Sequence, residues 1–145
     1  MHAQHMDIIL IFARTRDVGL YRPCLHCLHE KKTDMEQFGK ILIVDDNEDV
    51  LFALNLLLEP YAEKIKVAVT PDRIEHFMTT FRPDIILLDM NFSSGLNTGN
   101  EGLYWLHEIK KIHSSLPVVL FTAYADIDLA VRGIKEGATD FIVKP

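Results

Sequence analysis

Residues 85–89 read Ile85-Ile86-Leu87-Leu88-Asp89, four aliphatic side chains running without a break into a carboxylate. The run is too short for a helix and does not alternate, so it predicts a strand of a parallel sheet, buried on both faces. Asp89 then falls at the carboxyl end of that strand. In open α/β sheets this end borders the crevice where ligands bind, which places an acid there for chemistry rather than for packing.

Outward from this stretch the pattern recurs. Lys40-Ile41-Leu42-Ile43-Val44 runs into Asp45-Asp46, Leu116-Pro117-Val118-Val119-Leu120-Phe121 ends at Thr122-Ala123, and Asp140-Phe141-Ile142-Val143 precedes Lys144. Lys64 to Thr70 alternates polar and apolar, as a half-exposed edge strand does. Between the strands, apolar residues recur at helical spacing. Val50, Leu51, Leu54, Leu57 and Leu58 form one stripe, capped by Asp46 or Asn47 and ended by Pro60. Ile74, Phe77, Met78 and Phe81 follow Pro71 at a helix start. Leu103, Leu106, Ile109, Lys110 and Ile112, with Trp105 beside them, make a third stripe. Leu129, Ala130, Ile134 and Lys135, capped by Asp126 and stopped by Gly137, make the fourth. Met90 to Gly102 is rich in Gly, Asn and Ser and reads as a loop.

Five strands alternating with four helices imply right-handed crossovers and an α/β, doubly wound parallel sheet. In that geometry the strand tips carrying Asp45, Asp46, Asp89, Thr122 and Lys144 share one edge of the sheet.

The chain has 145 residues, 48% hydrophobic and 25% charged, the size and balance of one soluble domain with a workable core. A net charge of -6 argues against a nucleic-acid surface covering the domain. The longest apolar run near the start, Ile8 to Ala13, is far short of the roughly 18 residues that span a bilayer. Asp7 precedes it and no clear cleavage site follows, so no signal peptide is expected and a cytoplasmic protein is. The two cysteines, Cys24 and Cys27, are too few for a disulfide framework.

Residues 1–38 lack the periodicity of the rest and are expected to be a poorly ordered extension preceding a domain at 39–145. Within the extension, Cys24, His26, Cys27 and His29 are zinc-type donors, but no second Cys/His cluster completes a site, so an ordinary leader is the preferred reading.

Three carboxylates converging in a crevice repel one another by several kcal/mol at low effective dielectric, and a divalent cation relieves that repulsion. Oxygen donors suit Mg²⁺, which keeps part of its water shell and bridges to phosphate. Lys144 adds a positive charge able to pair with Asp89 or a phosphoryl oxygen, and Thr122 adds a hydroxyl. A carboxylate nucleophile, a metal and a lysine around one point favour in-line phosphoryl transfer to Asp89. Taken singly, each of these groups has an ordinary alternative: Asp45 or Asp46 as a helix cap, Thr122 as a strand end, Lys144 as a solvated charge.

The four segments Lys40–Glu48, Asp84–Asn91, Phe121–Tyr124 and Asp140–Pro145 resemble, in order and spacing, the motifs of the receiver domain of two-component response regulators. The resemblance implies a flavodoxin-like five-stranded sheet of order 2-1-3-4-5. It also implies Asp89 as phosphoacceptor, with Mg²⁺ ligated by the side chains of Asp46 and Asp89, by Asn91 through its backbone carbonyl, and by Asp45 mainly through water. Thr122 and Lys144 would contact the phosphoryl group, Phe141 would be the aromatic switch residue, and Asn91 and Tyr124 would modulate the lifetime of the phosphorylated state. The implied partner is a bacterial histidine kinase or phosphotransfer protein, and the implied protein is a switch rather than a turnover enzyme.

The family pattern is departed from twice. The loop after Asp89 is longer than the usual compact one, and with Tyr124 to Val131 it is similar to receivers attached to transcriptional activators of the nitrogen-regulatory type. The chain also stops at Pro145, before the family's last helix, so the domain is expected to be truncated, its effector domain absent, and one apolar sheet face exposed enough to promote association into a homodimer. A less favoured version folds Ile8 to Phe12 back over that face. Two other functional classes are a Mg²⁺-dependent phosphatase or hydrolase with Asp89 as transient nucleophile, and an interaction module that works without phosphorylation. The first would want an acid two residues after the nucleophile, where Asn91 stands, and the intact acidic set argues against the second.

Overall fold

The computed structural model describes residues 39–92, 100–123 and 127–144. The Cys24–His29 motif, the Asp126 cap and Tyr124 lie outside them. The element order is β1 (Lys40–Val44), α1 (Glu48–Leu58), β2 (Lys64–Ala68), a 3₁₀ turn (Pro71–Arg73) continuing into α2 (Ile74–Thr80), β3 (Ile85–Asp89), α3 (Asn100–Ile112), β4 (Val118–Thr122), α4 (Ile127–Lys135) and β5 (Asp140–Val143). All pairings are parallel and the strand order is β2-β1-β3-β4-β5. This is the doubly wound arrangement expected from the alternation. Among the described residues no helix is long and apolar enough to cross a membrane.

The unbroken aliphatic runs occupy the central strands because both faces there are covered. On one face Leu42, Val44, Ile86, Leu88, Val118 and Leu120 pack with Ile74, Met78, Leu103, Leu106, Ile109 and Leu129 from α2, α3 and α4. On the other face Ile41, Ile43, Ile85, Leu87, Val119 and Phe121 pack with Leu51, Leu54 and Leu58 of α1. Neighbouring residues of one strand thus feed opposite cores, as the two-residue period of a strand requires.

The expectation that the second face is exposed is wrong. Its six strand residues are all at most 4% exposed. A second correction concerns α4, where Ile134 is exposed rather than buried and the inward positions are Leu129 and Gly133. A Cβ on Gly133 would stand 2.6 Å from Leu120 Cδ1, so the glycine lets this helix lie directly on β4. β2 is shorter than the alternation suggests, ending at Ala68.

Candidate functional site

Each strand that carries a predicted group ends at the same edge. β1 and β3 are adjacent, with Val44 opposite Leu88, so Asp45 and Asp89 leave the sheet side by side. One oxygen from each of Asp45, Asp46 and Asp89 lies within 4.8 Å of the others. Asp45 and Asp89 are buried, whereas Asp46 is exposed at the rim. The pairwise repulsion of carboxylates at such distances is about 3–4 kcal/mol at an effective dielectric near 20.

One cation answers part of that charge. Lys144 Nζ stands 2.6 Å from Asp45 Oδ2 and 3.1 Å from Asp89 Oδ1. Its own position is fixed by the backbone, since Lys144 N donates to Thr122 O at 2.6 Å and extends the β4–β5 pairing by one residue. The ammonium also lies 4.9 Å from the centre of the Phe121 ring, which forms an apolar floor beneath it. Asp45 is held on its other oxygen, where Oδ1 accepts from Asn47 N at 2.8 Å. Asn47 in turn caps α1, its Oδ1 accepting from Asp49 N and Val50 N. The N-cap is therefore Asn47, and Asp45 is released from capping to face the crevice.

The titration of these groups follows from the crowding. Burial, then the charge of Asp45, pushes the Asp89 carboxyl up to about 6, against the opposing pull of Lys144 and of a backbone hydrogen bond from Asn91. Partial burial and the hydrogen bond and charge of Asp45 raise Asp46. Desolvation would depress Lys144, but its two carboxylates outweigh that and raise it. Asp45 Oδ2 is fully buried and has no well-directed hydrogen bond. The 2.6 Å approach of Lys144 is a pairing of charges, so this oxygen still has unspent acceptor capacity. A buried, under-satisfied carboxylate oxygen beside two more carboxylates fits a hard divalent cation.

Thr122 is fully buried at the end of β4. Phe141, opposite Leu120 on β5, is partly buried against the core formed with α4. Asn91 follows Asp89 by two residues in the described part of the loop.

A position that sequence reasoning passed over is Gly102, in the first turn of α3. Its N–H donates to Met90 O at 3.1 Å, and a Cβ there would stand 2.6 Å from Met90 Cα and 3.0 Å from Asp89 O. Only a residue without a side chain lets α3 begin against the backbone that carries Asp89. A glycine near a helix start is the only trace this leaves in the sequence.

Residues 41–145 match the family model described as the response regulator receiver domain. The chain belongs to the response regulator receiver family. The receiver is 32% identical over 109 residues to the DNA-binding transcriptional regulator NtrC of Klebsiella pneumoniae, a match covering 75% of this chain and 22% of that protein. It is 57% identical to the N-terminal signal receiver domain of a two-component system response regulator from Bacteroides fragilis, with a TM-score of 0.66 over 74% of this chain and 84% of that one. NtrX from Brucella abortus is 34% identical, with a TM-score of 0.64 over 73% of this chain and 23% of that one. The receiver thus spans under a quarter of the length of its nitrogen-regulatory relatives.

Proposed function

We propose that Asp89 is the phosphoacceptor of a Mg²⁺-dependent phosphorylation switch. The observation that carries this reading is the convergence of Asp45, Asp46 and Asp89 within 4.8 Å, with Lys144 bridging Asp45 and Asp89. Side chains of Asp45, Asp46 and Asp89 and the backbone carbonyl of Asn91 would hold the cation, which supplies charge neutralisation for an incoming phosphoryl group.

An oxygen of the ionised Asp89 attacks phosphorus in line with the leaving group of a phosphohistidine donor. The P–N bond breaks as the P–O bond forms, and the imidazole leaves with the electron pair and takes up a proton. Lys144, already 3.1 Å from Asp89, pairs with a phosphoryl oxygen once the carboxylate has become an acyl phosphate. Thr122 donates its hydroxyl to the same group, and Phe141 responds by changing its packing against α4. That is a population shift within one fold. Asn91 and Tyr124 set the lifetime of the acyl phosphate. The donor is a histidine kinase or phosphotransfer protein, and the output is a transcriptional activator region of the nitrogen-regulatory type.

Intact mass after incubation with Mg²⁺ and acetyl phosphate tests the assignment. One phosphoryl adduct is expected, lost in EDTA and lost in the Asp89→Asn protein. No adduct, or one that survives Asp89→Asn, overturns it.

A further inference from the structure

The end of the sheet opposite Asp89 carries a cavity that the phosphoryl chemistry does not use. Its volume is about 340 Å³, and Met78, Arg82, Pro83, Asp84, His113 and Leu116 line it. Strand β3 separates it from the crevice. Asp84 immediately precedes that strand and Asp89 ends it, a separation of about 16 Å at about 3.3 Å per residue. The size falls at the lower end of the clefts that hold small molecules, which run from about 300 to 1,000 Å³.

Three elements build the cavity. α2 supplies Met78, the turn into β3 supplies Arg82, Pro83 and Asp84, and the turn between α3 and β4 supplies His113 and Leu116. Met78, Pro83 and Leu116 are buried and form an apolar floor, while Arg82, Asp84 and His113 are exposed and form the rim. An apolar floor with a few polar groups around it is the composition of a ligand site.

The rim carries both signs of charge. Asp84 is fixed through Oδ2, which accepts from Lys40 N at 2.8 Å, and its Oδ1 keeps acceptor capacity. The neighbouring lysines are committed to backbone carbonyls, Lys40 Nζ donating to Phe81 O and Lys110 Nζ to Leu116 O. Arg82 is not committed in this way: among the described residues its guanidinium has no ion pair. It also stands at φ 53°, in the left-handed region where glycine and asparagine sit at less cost. A charged side chain held at a cavity rim on a strained backbone is a second, independent pointer to binding. His113 Nδ1 lies 3.4 Å from Ser115 Oγ, and Nε2 is the ring's other donor or acceptor.

These charges select the ligand. α2 and α3 both end at this edge, and a helix C-terminus disfavours anions, as does Asp84. A simple carboxylate or phosphate would satisfy Arg82 at the expense of Asp84, and a simple amine would do the reverse. A zwitterion meets both, and the floor calls for an apolar body beside its charged groups.

We infer that the cavity binds a free α-amino acid with an apolar side chain. The carboxylate pairs with Arg82 and hydrogen-bonds to His113, the ammonium pairs with Asp84 Oδ1, and the side chain lies on Met78, Pro83 and Leu116. This goes beyond the phosphorylation switch and does not depend on it.

NMR titration of the full chain with L-leucine tests the assignment, read on the Met78 methyl and the His113 Hε1 proton. Both signals should shift saturably. Isocaproate, the leucine skeleton without its ammonium, and isoamylamine, the same skeleton without its carboxylate, should each bind at least about tenfold more weakly for want of one charge-assisted pair. Glycine, which has no apolar body, should shift neither signal. Arg82→Asn suits the left-handed turn and removes the guanidinium, so the protein should fold and bind leucine weaker by a similar factor. No saturable shift in the parent protein, binding of either single-charge analogue or of glycine equal to that of leucine, or leucine binding unchanged in Arg82→Asn overturns the inference. Acetyl phosphate labelling of Asp89 should persist in Arg82→Asn, so the two readings fail separately.

Discussion

Replacing Asp89 with Asn should make the metal-free protein more stable, although it removes the proposed phosphoacceptor. The carboxyl is 3% exposed at its side chain and pushed up to about 6 from an ordinary 3.8. A folded state that holds this proton where the unfolded chain has lost it gains stability at low pH. It loses that stability as pH rises through the window from about 4 to 6. The difference of about two units corresponds to about 3 kcal/mol, at 1.36 kcal/mol per unit, by which the ionised Asp89 disfavours folding above pH 6. Asn has a similar shape and no charge to desolvate beside Asp45. Urea denaturation of both proteins in EDTA between pH 4 and 8 follows the effect, with the carboxylates remote from the site contributing equally to both curves. The stability difference should start near zero, grow by about 1.4 kcal/mol per pH unit and level off by pH 7. A flat difference across that range, or an Asp89→Asn protein less stable than its parent at pH 7.5, would refute the account of the site as a crowd of under-compensated carboxylates.

Other consequences follow from the same geometry. Mg²⁺ competes with the proton on Asp89, so its affinity should rise about tenfold per pH unit below pH 6 and become nearly flat above pH 7, measured by calorimetry. An Mg²⁺ affinity independent of pH between 5 and 6 would contradict this. Gly102→Ala should cost about 1–3 kcal/mol through the clash with Met90, and should slow acetyl phosphate labelling by moving the backbone of Asp89. Arg82 holds φ at 53° where it closes α2, its N–H donating to Phe77 O, so Arg82→Asn should raise stability by about 0.5–1 kcal/mol in thermal or urea unfolding.

The legible part of this protein is the part that local physics fixes. Unbroken runs such as Ile85–Leu88 can be satisfied only where both faces are covered, and topology then forces Asp45, Asp89, Thr122 and Lys144 to one edge. Side-chain reach is a different matter. Nothing in the sequence says that Lys144 crosses to Asp45, because that depends on the register of β5 and the floor that Phe121 provides. Periodicity points Ile134 inward on α4, whereas the inward contact is Gly133, which carries no hydrophobic signal. Lys110 was counted in an apolar stripe and does sit there, but its ammonium returns to donate to Leu116 O at 2.6 Å, the behaviour of a long stem with a polar end. An exposed sheet face was expected from the stop at Pro145, yet Val119 and Phe121 on that face are 0% and 4% exposed, a burial that the alternation of strands and helices does not announce.

The bond from Gly102 N to Met90 O closes the chain on itself immediately beyond β3. Whatever lies between those residues leaves and returns through one point, so its length exerts no pull on Asp89 or on α3. Loop closure costs only about 0.6 kcal/mol for each doubling of length. Residues 93–99 can therefore be lengthened, shortened or replaced by a recognition peptide while β3 and the start of α3 keep their backbone geometry.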